Sequence, residues 1–150
     1  MQAVHFRVGS CFVGSGRGYI YILYTKTQRC LYVGQTSDQG GVIGRLSSHI
    51  APDGTFRSRL YDRGIDLDDI DDLEIFAYHL PDDLRYTVTD RAHREGVEHL
   101  VQKRLHMIRG DLTPPMKIVS HVVYNSSAEL MYVRHTADQV IEAFLAAYQR

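Results

Sequence analysis

Long apolar runs are missing: no stretch of the chain approaches the roughly 20 residues that a membrane-spanning helix needs, so no contact with a bilayer is expected. Cysteine is scarce. Cys11 and Cys30 are the only two, too few for a disulfide framework or a zinc site. Both fall in or beside expected strands and read as small buried hydrophobes in a reducing cytoplasm. The histidines form no His-x3-His or His-Cys pattern, which argues against structural zinc. A glycine-rich phosphate loop and a nucleophilic-serine motif are both absent. Met1 to Ser10 lacks a basic segment followed by a long apolar stretch, so no signal peptide is expected. No internal repeat and no low-complexity segment occurs.

What remains is an ordinary globular composition, 44% apolar and 23% charged over 150 residues. That length supports one core, and one domain is expected. Net charge is −1, but it is unevenly spread. Residues 1–64 carry eight Lys/Arg and three Asp/Glu, residues 65–83 eight acids and no base, and residues 84–150 nine bases and seven acids. The nets of +5, −8 and +2 return −1. An acidic stretch therefore masks a basic front half. Screening beyond about 10 Å lets such a face attract a polyanion despite the overall balance. The plain alternative for residues 65–83 is a solvated acidic turn.

Tyr19 to Tyr24 is aromatic and β-branched and predicts a strand. Cys30 to Gly34 predicts its hairpin partner across a short polar turn. Val42 to Ile50 predicts a helix on which Arg45 and His49, four apart, share a side. Pro52-Asp53-Gly54 breaks that helix. Thr55 to Arg63 predicts a second, basic helix (Arg57-Ser58-Arg59) ended at Gly64. Leu73 to Leu80 predicts a third strand. Thr89 or Asp90 can cap a long helix to about Ile108 with Val97, Leu100, Val101, Leu105 and Ile108 on its apolar face. Ile118 to Tyr124 reads as a fourth strand or an extended segment. Thr136 to Gln139 reads as a capping box opening a last helix through Tyr148. Its apolar residues Val140, Ile141, Phe144, Leu145 and Tyr148 can pack internally or form the face of a homo-oligomer.

Two strands thus carry tyrosines eleven residues apart, a glycine ends the second, and a guanidinium and an imidazole follow at helical spacing. Gly18-Tyr19-Ile20-Tyr21, Tyr32-Val33-Gly34, Arg45 and His49 together resemble the GIY-YIG nuclease family. The likeness is strict over residues 18–50 and looser to about residue 105. It implies an α/β (α+β) fold with a small, mostly antiparallel three-stranded central sheet flanked by helices. The family core would lie at about 18–108. A C-terminal extension at about 109–150 would add a strand or extended segment and a helix. The implied activity is hydrolysis of DNA phosphodiesters with Mg2+, for which Mn2+ can substitute.

The residue types suit that chemistry. A guanidinium stays charged and donates to two phosphate oxygens at once, which fits Arg45. Phenol, with a pKa near 10, is a poor base unless nearby cations favour the phenolate. The resemblance assigns the base to Tyr21 and the positioning of water or phosphate to Tyr32, although the two roles can be exchanged. His49 would relay a proton or donate to the phosphate. The resemblance also demands a metal-binding glutamate on the long helix, and Glu98 and Glu95 compete for it. Glu98 follows Val97 and precedes Leu100 and Val101, which fits the family pattern better. The asparagine that many members carry soon after that glutamate has no counterpart there. Asn125 lies later and must fold back to serve, and as a residue preceding Ser-Ser it also reads as a turn former. Gln39-Gly40-Gly41 adds a stretch expected at the site rim. Two other readings compete. One is a catalytically reduced nucleic-acid-binding or interaction module on the same fold. The other is a structural protein whose tyrosines serve only the core, with Arg45 paired to an acid such as Asp38.

Overall fold

Alternating large apolar residues on two neighbouring strands give the sheet two buried faces, and the rest of the chain packs on those faces. The structure, a computed structural model, describes residues 17–87, 91–121 and 123–149. It is a mixed α/β arrangement around a four-stranded mixed sheet. The strands are β1 (Tyr19–Thr25), β2 (Cys30–Thr36), β3 (Glu74–His79) and a two-residue β4 (Lys117–Ile118), in the order β3-β1-β2-β4. The first three pair antiparallel, while β4 joins β2 parallel through Cys30 and Leu31. The helices are α1 (Gly41–Ile50), α2 (Thr55–Tyr61), α3 (Leu84–Thr87), α4 (Ala92–Ile108) and α5 (Met131–Tyr148).

Strand period two divides the side chains. Ile20, Ile22, Tyr24, Leu31 and Val33 face α4 and α5, joining Val97, Val101, Leu105, Val140 and Phe144 in the larger core. Tyr19, Tyr21, Leu23 and Cys30 face α1 and α2, joining Val42, Phe56 and Leu60 in the smaller one. Val140, Ile141, Phe144, Leu145 and Tyr148 of α5 all pack into or against the larger core, so the face considered for self-association is used internally. No helix among the described residues is long and apolar enough to cross a membrane.

Several elements differ from the sequence reading. The last helix starts at Met131, not at Thr136. Thr136 is buried inside it, its hydroxyl donating to the Tyr132 carbonyl and bonded to Tyr86 Oη. A threonine can satisfy itself this way mid-helix, so the capping pattern misleads. The expected strand at 118–124 is reduced to Lys117 and Ile118, with the Val119 N–H still donating to the Leu31 carbonyl at 2.8 Å where the pairing ends. The short α3 was not foreseen. The caps proposed at Thr89 and Asp90, like Cys11, lie outside the described residues.

The acidic stretch is used structurally. Asp66 caps a 3-10 turn at Leu67–Asp69. Asp72 accepts from the hydroxyls of Thr25 and Thr27 at the β1–β2 turn. Glu74 accepts from Tyr24 Oη at 2.7 Å.

Candidate functional site

Antiparallel register sets Tyr21 directly opposite Gly34. The aromatic ring lies across the glycine so closely that a Cβ there would stand 2.2 Å from Tyr21 Oη and 2.3 Å from Cζ. Gly34 is therefore a seat for the Tyr21 ring. It sits in regular strand, so the need is for space rather than for an unusual backbone angle.

The first helix then delivers its two site residues to that ring. Arg45 Nε–H donates to Tyr21 Oη at 3.3 Å, and His49 Nε2 lies 2.6 Å from the same oxygen. The spacing of four residues is what lets one helix place both on one atom. Gly54 tightens the corner after α1, since a Cβ there would lie 2.1 Å from the His49 carbonyl oxygen. Tyr32, half-buried, meets the His49 ring edge-on with centroids 4.9 Å apart. Both tyrosines thus contact the one histidine. Arg45 does not pair with Asp38, whose carboxylate accepts from the Gly40 N–H at 2.7 Å in a tight turn leading into α1. Gln39-Gly40-Gly41 belongs to that turn rather than to a long rim loop.

Burial sets the protonation of the cluster. Tyr21 is 1% exposed, and burial pushes its phenol well above the usual range, opposed by the Arg45 hydrogen bond. Burial also raises Tyr32, with the Glu98 charge adding to the effect. His49, also 1% exposed, is lowered to about 4 by burial and by the Arg45 charge. It is therefore neutral at pH 7 and can accept the Tyr21 O–H at Nε2.

Glu98 reaches this group from α4, which runs along the outer edge of β2. Gln102 Nε2 holds both the Val33 carbonyl, at 3.4 Å, and Glu98 Oε1, at 3.3 Å. The Glu98 carboxyl acts electrostatically on Tyr21, Tyr32 and Arg45. Its pKa is raised to about 7 by burial and by neighbouring Glu95, with Arg45 and Arg91 opposing. Glu95 is engaged elsewhere, with Arg91 Nε at 2.7 Å and Asn125 Nδ2 at 3.4 Å. The structure brings Tyr21, Tyr32, Arg45, His49 and Glu98 together and places Glu95 and Asn125 beside them. No group of three or more His, Cys, Asp or Glu side chains fit to hold a metal occurs among the described residues. A cation here would have one carboxylate and would need other oxygens, which is the usual habit of Mg2+.

Several neighbours were not singled out from sequence. After β4 the chain crosses the β2 edge as a strap: Ser120 Oγ accepts from the Val33 N–H, His121 Nδ1 lies 3.1 Å from Arg59 Nη2, and Tyr124 meets His99. Asn125 then caps a 3-10 turn at Ser126–Glu129 through its side-chain oxygen. Gly96 lets that turn lie against α4, since a Cβ there would be 3.0 Å from the Ser127 side chain. The basic helix divides. Arg57 is paired with Asp66 and Asp68, whereas Arg59 acts on Tyr32. The signal for Gln102 was its place one turn beyond Glu98 on the same helix face, and Arg59 was marked only as part of the basic run, while nothing local marks Tyr124. Comparison with protein-family models, curated proteins and solved structures gives no match to this chain.

Proposed function

We propose that this chain is a metal-dependent endonuclease of the GIY-YIG type that hydrolyses DNA phosphodiesters. One observation carries the reading: a buried tyrosine hydroxyl is held between a neutral imidazole acceptor and a guanidinium, with a carboxylate of raised pKa alongside. A packing tyrosine needs none of these partners.

In this reading Arg45 keeps its Nε–H on Tyr21 while its terminal N–H groups take phosphate oxygens, an arrangement that suits a bidentate guanidinium. Tyr32, the more open phenol, positions the water. The water oxygen forms the new bond to phosphorus and its proton passes to Tyr21 Oη as the Tyr21 proton moves to His49 Nε2. The bond from phosphorus to the leaving oxygen breaks, and that oxygen takes a proton from solvent. Glu98 is the residue that would hold Mg2+ or Mn2+. Its raised pKa fits the role, since a buried carboxylate ionises readily only when a cation joins it. When bound, the ion supplies charge neutralisation at the phosphate. Arg59 adds a second cation on the α2 side for the DNA backbone.

The test is incubation of the protein with plasmid and single-stranded DNA in Mg2+ and in Mn2+, beside Arg45→Ala. Cleavage by the wild type with a loss of about 100-fold or more in Arg45→Ala is expected, the scale of removing one preorganised donor to developing charge. Intact substrates with both metals would leave the alternative, a binding module on the same fold.

A further inference from the structure

A hollow of about 370 Å3 opens beside Glu98, lined by that residue with Arg91, Glu95, His99, Gln102, Tyr124 and Asn125. Its volume is at the small end of the ~300–1,000 Å3 typical of small-molecule sites. Its chemistry is specific. Its lining cation, Arg91, is already paired with Glu95, so the hollow offers a bare phosphate no free positive partner of its own. Amide, imidazole and phenol groups share the wall, so a plain apolar segment would leave them unpaired.

Two features point to a flat, hydrogen-bonding ring. Tyr124 is 67% exposed, supported from below by His99, whose ring meets it edge-on at 5.7 Å. A large aromatic side chain left open over a polar hollow is a stacking platform. Glu95 is held at the same wall by Arg91 and Asn125, so its carboxylate is a fixed acceptor. Fixed carboxylates read the exocyclic amino groups of bases, which donate, and disfavour thymine, whose exocyclic groups only accept.

We propose that this hollow binds a nucleobase of the substrate strand, unstacked against Tyr124 beside the phosphate at Arg45, and that Glu95 favours a base bearing an exocyclic amino group. This rests on the nuclease reading for the identity of the polymer. The strap, residues 117–121 and 123–125, thereby supplies specificity that the two-tyrosine centre lacks. A base already free of pairing enters at least cost, so single-stranded or mismatched positions are the preferred partners.

The experiment separates binding from cleavage. Fluorescence anisotropy is measured in EDTA with labelled single-stranded dA, dC and dT oligomers, for the wild type, Tyr124→Ala, Tyr124→Phe and Glu95→Gln. The wild type binds dC about tenfold tighter than dT, because the 4-amino group of cytosine donates where the 4-oxo group of thymine accepts. Tyr124→Ala weakens dA and dC about tenfold, while Tyr124→Phe, which keeps the ring, binds as the wild type does. Glu95→Gln narrows the gap between dC and dT. Wild-type affinity in Tyr124→Ala overturns the pocket, and equal affinity of the wild type for dC and dT overturns selection by Glu95. Because no metal is present, failures can be assigned. A protein that binds in this pattern but leaves DNA intact in Mg2+ and Mn2+ keeps the pocket and loses the nuclease reading. One that cleaves while Tyr124→Ala binds normally keeps the nuclease and loses the pocket.

Discussion

Gly34→Ala is the sharpest probe of how the candidate centre is built. The added Cβ would fall 2.2 Å from Tyr21 Oη, 2.3 Å from Cζ and 2.8 Å from Cε2, so the rigid ring must move as a whole. The ring is held by His49 and Arg45 at its hydroxyl and by the small core around it. Forced repacking of this kind costs about 1–3 kcal/mol. In the absence of the clash, alanine in a strand is better than glycine by about 0.5–1 kcal/mol. A double-mutant cycle therefore separates the two effects. In the wild-type background Gly34→Ala lowers stability by about 1–3 kcal/mol, about 2–10 °C in Tm for a chain of this size. Tyr21→Phe removes only the oxygen and leaves Cζ, so Gly34→Ala costs nearly as much there. Tyr21→Leu removes the ring atoms concerned, and Gly34→Ala becomes neutral or stabilising. The coupling between Gly34→Ala and Tyr21→Leu should reach about 2 kcal/mol, well above the ~0.3–0.5 kcal/mol scatter of independent sites. On the proposed nuclease reading, cleavage by Gly34→Ala should fall about 100-fold, because a displacement near 1 Å at a reacting group costs on that order. Urea or thermal unfolding of the four proteins gives the cycle directly. Additive effects within 0.5 kcal/mol would show that Tyr21 does not rest on Gly34 and would refute the construction of the site.

Two further predictions concern charge. The Glu98 pKa is raised from 4.5 to about 7, chiefly by burial. The folded state therefore holds that proton more tightly, and its contribution to stability is lost as pH rises from 4.5 to 7, by up to about 3 kcal/mol. In metal-free buffer at pH 8, Glu98→Gln should melt above the wild type, and Mg2+ should raise the wild-type Tm while leaving Glu98→Gln unmoved. A lower Tm for Glu98→Gln at pH 8, or equal Mg2+ shifts, would count against a buried metal-binding carboxylate. On α2, Arg59→Ala should weaken DNA binding and reduce the slope of log K against log salt by about 1. Arg57→Ala, already neutralised by Asp66 and Asp68, should leave that slope unchanged. Equal slopes for the two variants would place the DNA elsewhere.

The legible parts of the fold are those written in short windows. Aromatic and β-branched runs marked β1, β2 and β3 within a residue or two, and the apolar positions of α4 marked both its length and its buried face. The spacing of Arg45 and His49 marked their common side before any partner was known. Thr136 shows the opposite case, a local pattern with two physical outcomes that only its burial against Tyr86 decides.

By itself, then, the sequence determined the hairpin, the glycine on its second strand and the helix carrying a cation and an imidazole four residues apart. Each depends on the period of a strand or a helix, which a few neighbouring residues fix. It did not determine which glutamate turns to the tyrosines. Glu95 and Glu98 are three residues apart, only about 60° around a helix axis, so either can face the centre. The β2 edge, Gln102 and the strap decide it, and they come from positions far apart in the chain. The same holds for Arg59 against Arg57 and for Tyr124 and Asn125, which reach α4 only after β4 has closed the sheet edge. Such juxtapositions arise from packing between distant segments, which local periodicity does not encode.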